Sequence, residues 1–164
     1  MKVAVMSDSH DHEANTRRAV EQANDLSAQV LVHCGDLISP FMLEELDAFA
    51  GPVHLIFGNN PGDQTLLVRA CDARKERVTL HGWAGRLELG GRATVLVHEP
   101  FHVASLARSG DFDLVLFGHT HRWHVERIGK ALVVNPGELL GRKEEPGWVL
   151  LDTEDMRTER ILIT

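Results

Sequence analysis

The chain has 164 residues, of which 43% are hydrophobic, enough for the core of one domain. Its 24 acidic residues outnumber 17 basic ones, and the formal charge of -7 argues against bulk nucleic-acid binding, because a phosphate backbone repels an acidic surface. No apolar run approaches the roughly 18 residues of a membrane helix, and two cysteines cannot build a disulfide framework. We therefore expect one cytoplasmic domain over residues 1–164 with no membrane contact.

The first half of the chain alternates strand-like and helix-like segments. Short apolar runs rich in β-branched residues are typical of strands buried on both faces, and they occur at 2–6, 29–33 and 53–57. Polar loops and capping residues around the intervening segments predict helices at 13–25, 41–49 and 64–73. This β-α-β-α-β order predicts a parallel sheet with right-handed crossovers.

Strand patterns dominate the second half of the chain. One short helix is predicted at 103–109. Extended segments separated by glycine or charged turns predict strands at 78–81, 86–89, 92–98, 113–117, 123–128, 131–135, 147–152 and 159–163. After the third helix we therefore expect a second sheet, mostly antiparallel or mixed.

Polar side chains follow five of the predicted strands, at the carboxyl ends where sites of open α/β folds lie. All are oxygen or nitrogen donors: Asp8, His10, Asp36, Asn59, His98, His119 and His121. Carboxylate, amide and imidazole without thiolate favour a divalent ion such as manganese, iron or zinc, and seven donors are too many for one tetrahedral site. Two ions that share a carboxylate would use them all, and such pairs, about 3.5–4 Å apart, generate a hydroxide for phosphoryl displacement.

Five short motifs carry a family resemblance. In this order, "SDSH", "HCGD", "FGNN", "VH" and "GHTH" resemble the calcineurin-like metallophosphoesterases, and the short length is similar to their small bacterial and archaeal phosphodiesterase branch. The resemblance runs to the "NPGE" turn at about Gly137. It implies a four-layer αββα sandwich of two mixed sheets flanked by helices. It also implies one metal held by Asp8, His10, Asp36 and His121, and another held by Asp36, Asn59, His98 and His119.

Two positions depart from the pattern of this family. Where many relatives have a histidine that touches the substrate phosphate, this chain has Asn60, whose amide can donate a hydrogen bond but cannot supply a proton. His98 is followed by Glu99-Pro100, where a glycine is more usual, and this changes the substrate groove rather than the metal ligands. We predict catalytic roles for Asp36 and Asn60.

Further substrate contacts are predicted among the remaining histidines. His102 and His124 flank motif loops and could line the groove, while His12 could line the cleft or cap the first helix. With Asn60, these are the predicted substrate-binding residues.

The predicted function is that of a dimetal phosphoesterase, acting on phosphodiesters, with a metal-bridging hydroxide as the nucleophile. Manganese is the expected metal, with iron, zinc or nickel as alternatives. The competing hypothesis is a non-catalytic scaffold that binds a protein partner, as in a retromer subunit of similar fold that has lost ligand histidines. A metal-storage or sensor protein is a third hypothesis, disfavoured by a donor set that leaves coordination positions open. Exposed sheet edges could support a homo-oligomer.

Overall fold

The chain forms eleven β-strands and four α-helices, and the computed structural model describes residues 1–164. The strands are β1 (Lys2–Met6), β2 (Val30–His33), β3 (Val53–Leu55), β4 (Val78–Leu80), β5 (Ala84–Leu89), β6 (Arg92–Val97), β7 (Leu114–Leu116), β8 (Trp123–Ile128), β9 (Ala131–Pro136), β10 (Gly147–Asp152) and β11 (Arg157–Leu162). The helices are α1 (Glu13–Asp25), α2 (Leu43–Asp47), α3 (Gln64–Asp72) and α4 (Val103–Arg108), with 3₁₀ turns at Pro40–Met42 and Pro100–His102. No helix is long and apolar enough to span a bilayer.

Two mixed sheets make up the β-structure. The first has the order β11-β10-β1-β2-β3-β4, in which β1 to β4 are parallel; the β-α-β-α-β pattern predicts this arrangement for β1 to β3. The second has the order β5-β6-β7-β9-β8, with β6, β7 and β9 parallel and both edge strands antiparallel.

The second sheet expected after α3 is present, but three of the strands that follow α3 belong to the first sheet. Strand β4 extends the parallel run of the first sheet, and β10 returns to pair antiparallel with β1, followed by β11. Alternation of apolar residues indicates that a segment is a strand, but it does not indicate which edge of which sheet the strand joins. The pairing of β10 covers the edge of β1 that would otherwise lie open to solvent.

The core consists of three apolar layers, and β1 shows how the sequence builds them. Val3 and Val5 point into the layer between the two sheets, whereas Ala4 and Met6 point into the layer beneath α1 to α3. A third layer lies between the second sheet and α4. Because β1 is buried on both faces, it needs apolar residues at consecutive positions. The four-layer αββα sandwich is therefore confirmed.

The stacking of the two sheets brings several strand ends to one edge of the molecule. The loops after β1 and β2 are joined by a hydrogen bond from the Asp8 N–H to the Gly35 carbonyl, 3.0 Å. In the second sheet, the Gly118 N–H donates to the His98 carbonyl at 3.1 Å. Between the sheets, the His119 N–H donates to Asp8 Oδ2 at 3.0 Å. These bonds place the polar side chains of both sheets around one common point.

Candidate metal centre

All seven side chains predicted as metal ligands lie in one continuous cluster at this edge. Five of them adopt a left-handed backbone conformation, with φ of 53° at Asp8, 43° at His10, 56° at Asp36, 67° at His119 and 59° at His121. Such values are uncommon for residues other than glycine. Strained backbone of this kind persists where the surrounding structure holds it, often at functional sites. It turns the chain sharply after each strand, so that the side chains converge.

Two glycines are required for this close approach. A Cβ at Gly58 would lie 2.0 Å from Asp36 Oδ1, and a Cβ at Gly118 would lie 2.1 Å from Ser7 Oγ and 2.7 Å from Asp8 Oδ2. Real Cβ atoms do not come so close to other atoms, so any larger residue would displace a cluster carboxylate. The glycines of "FGNN" and "GHTH" are therefore part of the construction of the site.

One half of the cluster surrounds Asp8. Its Oδ1 lies 3.3 Å from His121 Nε2 and 3.8 Å from His10 Nε2, and the two imidazole nitrogens are 3.2 Å apart. The other oxygen, Oδ2, accepts hydrogen bonds from Ser7 Oγ at 2.6 Å and from the His119 N–H. Oδ1 itself is buried without a hydrogen-bond partner. Because an unpartnered buried carboxylate oxygen is costly, this atom fits a site for a cation.

The other half of the cluster centres on Asn59 Oδ1. His98 Nε2 lies 2.9 Å from this oxygen, and His119 Nδ1 lies 2.7 Å from it. His98 Nδ1 is 2.7 Å from the Cys34 carbonyl, which can only accept, so Nδ1 carries a proton. A neutral His98 then presents a bare Nε2 to the amide oxygen. Two acceptor atoms, His98 Nε2 and Asn59 Oδ1, thus lie 2.9 Å apart with no proton between them. A shared cation would satisfy both, which is the arrangement expected of metal ligands.

Asp36 connects the two halves. Its Oδ2 lies 3.4 Å from His10 Nε2 and 3.5 Å from His98 Nε2, so that one oxygen faces both groups. Asn60 holds this carboxylate in place, since its backbone N–H donates to Oδ1 and its side-chain amide donates to Oδ2, each at 2.7 Å. The geometry thus suits a carboxylate that bridges two ions.

The pKa shifts of the cluster show that it favours positive charge. Burial raises the pKa of Asp8, but the neighbouring His10 and Ser7 lower it, and the net pKa lies below its ordinary value. For Asp36, burial is likewise outweighed by His98 and Asn60, and the pKa is lowered. The Asp8 carboxylate raises the pKa of His10. Both carboxylates are therefore ionised at neutral pH and create a field that suits a cation.

A buried glutamate that the sequence analysis did not identify supports His121. Glu138 Oε2 lies 2.5 Å from His121 Nδ1, while Oε1 accepts from the backbone N–H groups of Lys143 and Glu144. Burial raises the pKa of Glu138, but the bonds with His121 and these N–H groups lower it below its ordinary value. A carboxylate on the far nitrogen of an imidazole fixes which nitrogen faces the metal. The only sequence signal was a charged residue in the "NPGE" turn.

The four residues predicted to contact substrate lie in different surroundings in the structure. Asn60 binds Asp36 through its side chain, and His102 lines a pocket beside Asn59 and His98. His12 instead caps α1, where Nδ1 accepts from the Asn15 N–H at 3.2 Å, which is the alternative role considered for it.

His124 lies apart from the cluster. Its side chain is about half exposed on β8 and pairs with Glu126 at 3.1 Å. The strand carries it away from the turn that holds His121, and it contacts none of the seven predicted ligands.

Comparisons with known proteins identify the family of the chain. The model of the calcineurin-like phosphoesterase superfamily domain matches residues 1–156. A phosphodiesterase of Methanocaldococcus jannaschii is 32% identical over 166 residues, covering 99% of each chain. The solved structure of an archaeal phosphodiesterase superposes with a TM-score of 0.92 at 31% identity, over 99% of each chain. A Vps29 from Entamoeba histolytica, at 20% identity and a TM-score of 0.70 over the whole of both chains, shares the fold.

The chain therefore belongs to the calcineurin-like phosphoesterase superfamily and is a phosphoric ester hydrolase. The family implies dependence on divalent metal, and two groups of side chains are placed to hold ions, one of Asp8, His10 and His121 and one of Asp8, Asp36 and His98.

Proposed function

We propose that this superfamily member hydrolyses phosphodiesters with two divalent ions held by the seven clustered side chains. Asp8, His10, Asp36 and His121 would hold one ion, and Asp36, Asn59, His98 and His119 the other. The observation that carries the proposal is the position of Asp36 Oδ2, which lies 3.4 Å from His10 Nε2 and 3.5 Å from His98 Nε2. Manganese is the proposed metal, because the donors are imidazole, amide and carboxylate without a thiolate.

The proposed reaction is an in-line displacement at phosphorus. When bound, the ions would supply a hydroxide from a shared water at neutral pH and neutralise charge on the phosphoryl oxygens. A P–O bond would form to the hydroxide oxygen as the P–O bond to one ester group breaks, and that group would leave as an alkoxide or phenolate. Asn60 supplies no proton to it, so the leaving group takes its proton from water. Substrates with good leaving groups are therefore preferred.

Asn60 has two roles in this proposal, of which a contact with the substrate is only one. Its two hydrogen bonds to Asp36, each 2.7 Å, fix the carboxylate that faces both halves of the cluster. The exposed position of Asn60 also leaves it at the rim, beside Asn59, where a phosphoryl oxygen would arrive. We assign it to positioning Asp36 and to a hydrogen bond to the substrate.

A preference for diesters over monoesters follows from the charges around the cluster. The side chains in contact within it are those of histidine, aspartate, asparagine, serine and Glu138, with no lysine or arginine among them. A monoester dianion carries one charge more than a diester, and no lysine or arginine of the cluster itself would meet that charge; the Lys143 ammonium lies outside the cluster, 3.3 Å from the Thr120 carbonyl.

The test of this function is turnover of bis(p-nitrophenyl) phosphate and of p-nitrophenyl phosphate by chelator-stripped protein, before and after adding manganese. We expect hydrolysis only with metal and a higher kcat/KM for the diester. Absence of turnover with manganese, iron, zinc and nickel would contradict the proposal. It would favour the scaffold hypothesis. The similarity to a Vps29 structure concerns the fold and does not by itself support that hypothesis.

A further inference from the structure

A small pocket opens directly beside two of the proposed metal ligands. Its volume is about 200 Å³, and Asn59 and His98 form the wall that it shares with the cluster. Small-molecule sites usually measure about 300–1,000 Å³. A pocket of this size therefore accommodates one part of a substrate rather than a whole ligand.

The lining of the pocket also includes an exposed indole ring, that of Trp83. Trp83 lies in the turn before β5, is 59% exposed, and packs on Phe57 with ring centroids 5.3 Å apart. The Phe57 N–H donates to the Gly82 carbonyl at 2.7 Å, which fixes this turn against the end of β3. Ala84 and Val97 add apolar surface to the lining of the pocket. The two aromatic rings meet at a tilt of 52°, so Phe57 does not stack on the indole, and the exposed indole is available as a platform on which a flat ring can stack.

The rim of the pocket is polar and includes one negative charge. Glu99 and His102 line it, both are exposed, and the Glu99 carboxylate makes no hydrogen bond within the chain. This carboxylate would accept hydrogen bonds from amide or hydroxyl donors and would repel a second phosphate group. The pocket therefore fits an uncharged aromatic group with hydrogen-bond donors, as a nucleoside is.

We propose that this pocket binds the retained ester group of the diester and that this group is a nucleoside, stacked on Trp83 and held by Glu99. The inference rests on the proposed phosphodiesterase function. In an in-line displacement the leaving oxygen lies opposite the nucleophile. A group lying against Asn59 and His98 is on the side of the ligands, so it belongs to the part of the substrate that stays on phosphorus.

The test compares two diesters with the same leaving group. Thymidine 5′-(p-nitrophenyl phosphate) and methyl p-nitrophenyl phosphate both release p-nitrophenolate, and only the first carries a nucleoside. With manganese-loaded protein we expect a higher kcat/KM for the thymidine ester by roughly five- to a hundredfold, the range for base stacking on an aromatic side chain. The difference should lie mainly in KM. Trp83→Ala should remove this preference, so that the two esters are hydrolysed with similar kcat/KM.

Two further variants and one binding measurement complete the test. Trp83→Phe should keep much of the preference, and Leu66→Ala, which removes a side chain 51% exposed on α3, should change neither ester. Thymidine should quench the tryptophan fluorescence of metal-free protein saturably, and less so in Trp83→Ala. Equal kcat/KM for both esters without quenching would overturn the pocket assignment alone. Quenching without turnover of either ester would overturn the phosphodiesterase function and leave the pocket as a nucleoside site.

Discussion

Asp36→Asn is expected to lower kcat for an aryl phosphodiester by about a thousandfold, the upper end of what removing one preorganised group costs a catalytic site. The reason is geometric, since the same oxygen faces His10 and His98. Asparagine keeps the size of the side chain but removes the negative charge that a bridging ligand needs. The variant should therefore fold normally, bind metal weakly and lose turnover. Steady-state kinetics at saturating manganese measures the effect.

A matched surface substitution is the control for this experiment. Asp47→Asn removes an equally sized charge from an exposed ion pair with Arg74 and should leave kcat within about twofold, because surface pairs contribute little. If Asp36→Asn retained wild-type turnover, Asp36 would not be a bridging ligand. The same variant distinguishes an enzyme from a scaffold, since a scaffold would lose nothing when Asp36 changes.

Glu138→Gln is expected to weaken metal binding by about 10- to 100-fold, the usual effect of losing the outer partner of a histidine ligand. Oε1 accepts from two backbone N–H groups, which only an oxygen can satisfy. The glutamine must therefore turn its NH₂ towards His121, whose Nδ1 then accepts and whose proton moves to Nε2. This nitrogen lies 3.3 Å from Asp8 Oδ1, and once protonated it cannot bind a metal.

The chain offers a second histidine–carboxylate pair as a control. His124 and Glu126 form an exposed contact of 3.1 Å outside the cluster. Glu126→Gln should leave manganese affinity unchanged, as measured by isothermal titration calorimetry. Unchanged affinity in Glu138→Gln would show that His121 does not depend on Glu138 for its tautomer. Equal losses in both variants would indicate a general effect of removing a carboxylate.

The parts of the fold and site that the sequence predicts are those set by local patterns. Apolar runs located the strands, and the parallel arrangement of β1 to β3 followed from the helices between them. Because parallel strands point the same way, residues after each strand, such as Asp8 and Asp36, were expected at one edge. The structure brings them together as expected, and their roles as ligands remain to be tested.

Local sequence patterns do not predict which distant strands pair or which distant side chains meet. Strand β10 joins β1 across almost the whole chain, and nothing in its alternation distinguishes this edge from another. The same limit applies to Glu138, which meets His121 only because the turn after β9 folds beneath the cluster. Trp83 gave no signal either, since an isolated tryptophan in a turn has no periodicity.

Asp36 is proposed to join a pair of ions. The most direct test counts the ions that bind and measures whether they are magnetically coupled. Chelator-stripped protein is titrated with manganese while electron paramagnetic resonance follows the bound metal. The account predicts two tightly bound ions per chain with the spectrum of a coupled pair, as expected for ions about 3.5–4 Å apart, and loss of that coupling in Asp36→Asn. Binding of a single ion, or of two uncoupled ions, would contradict it.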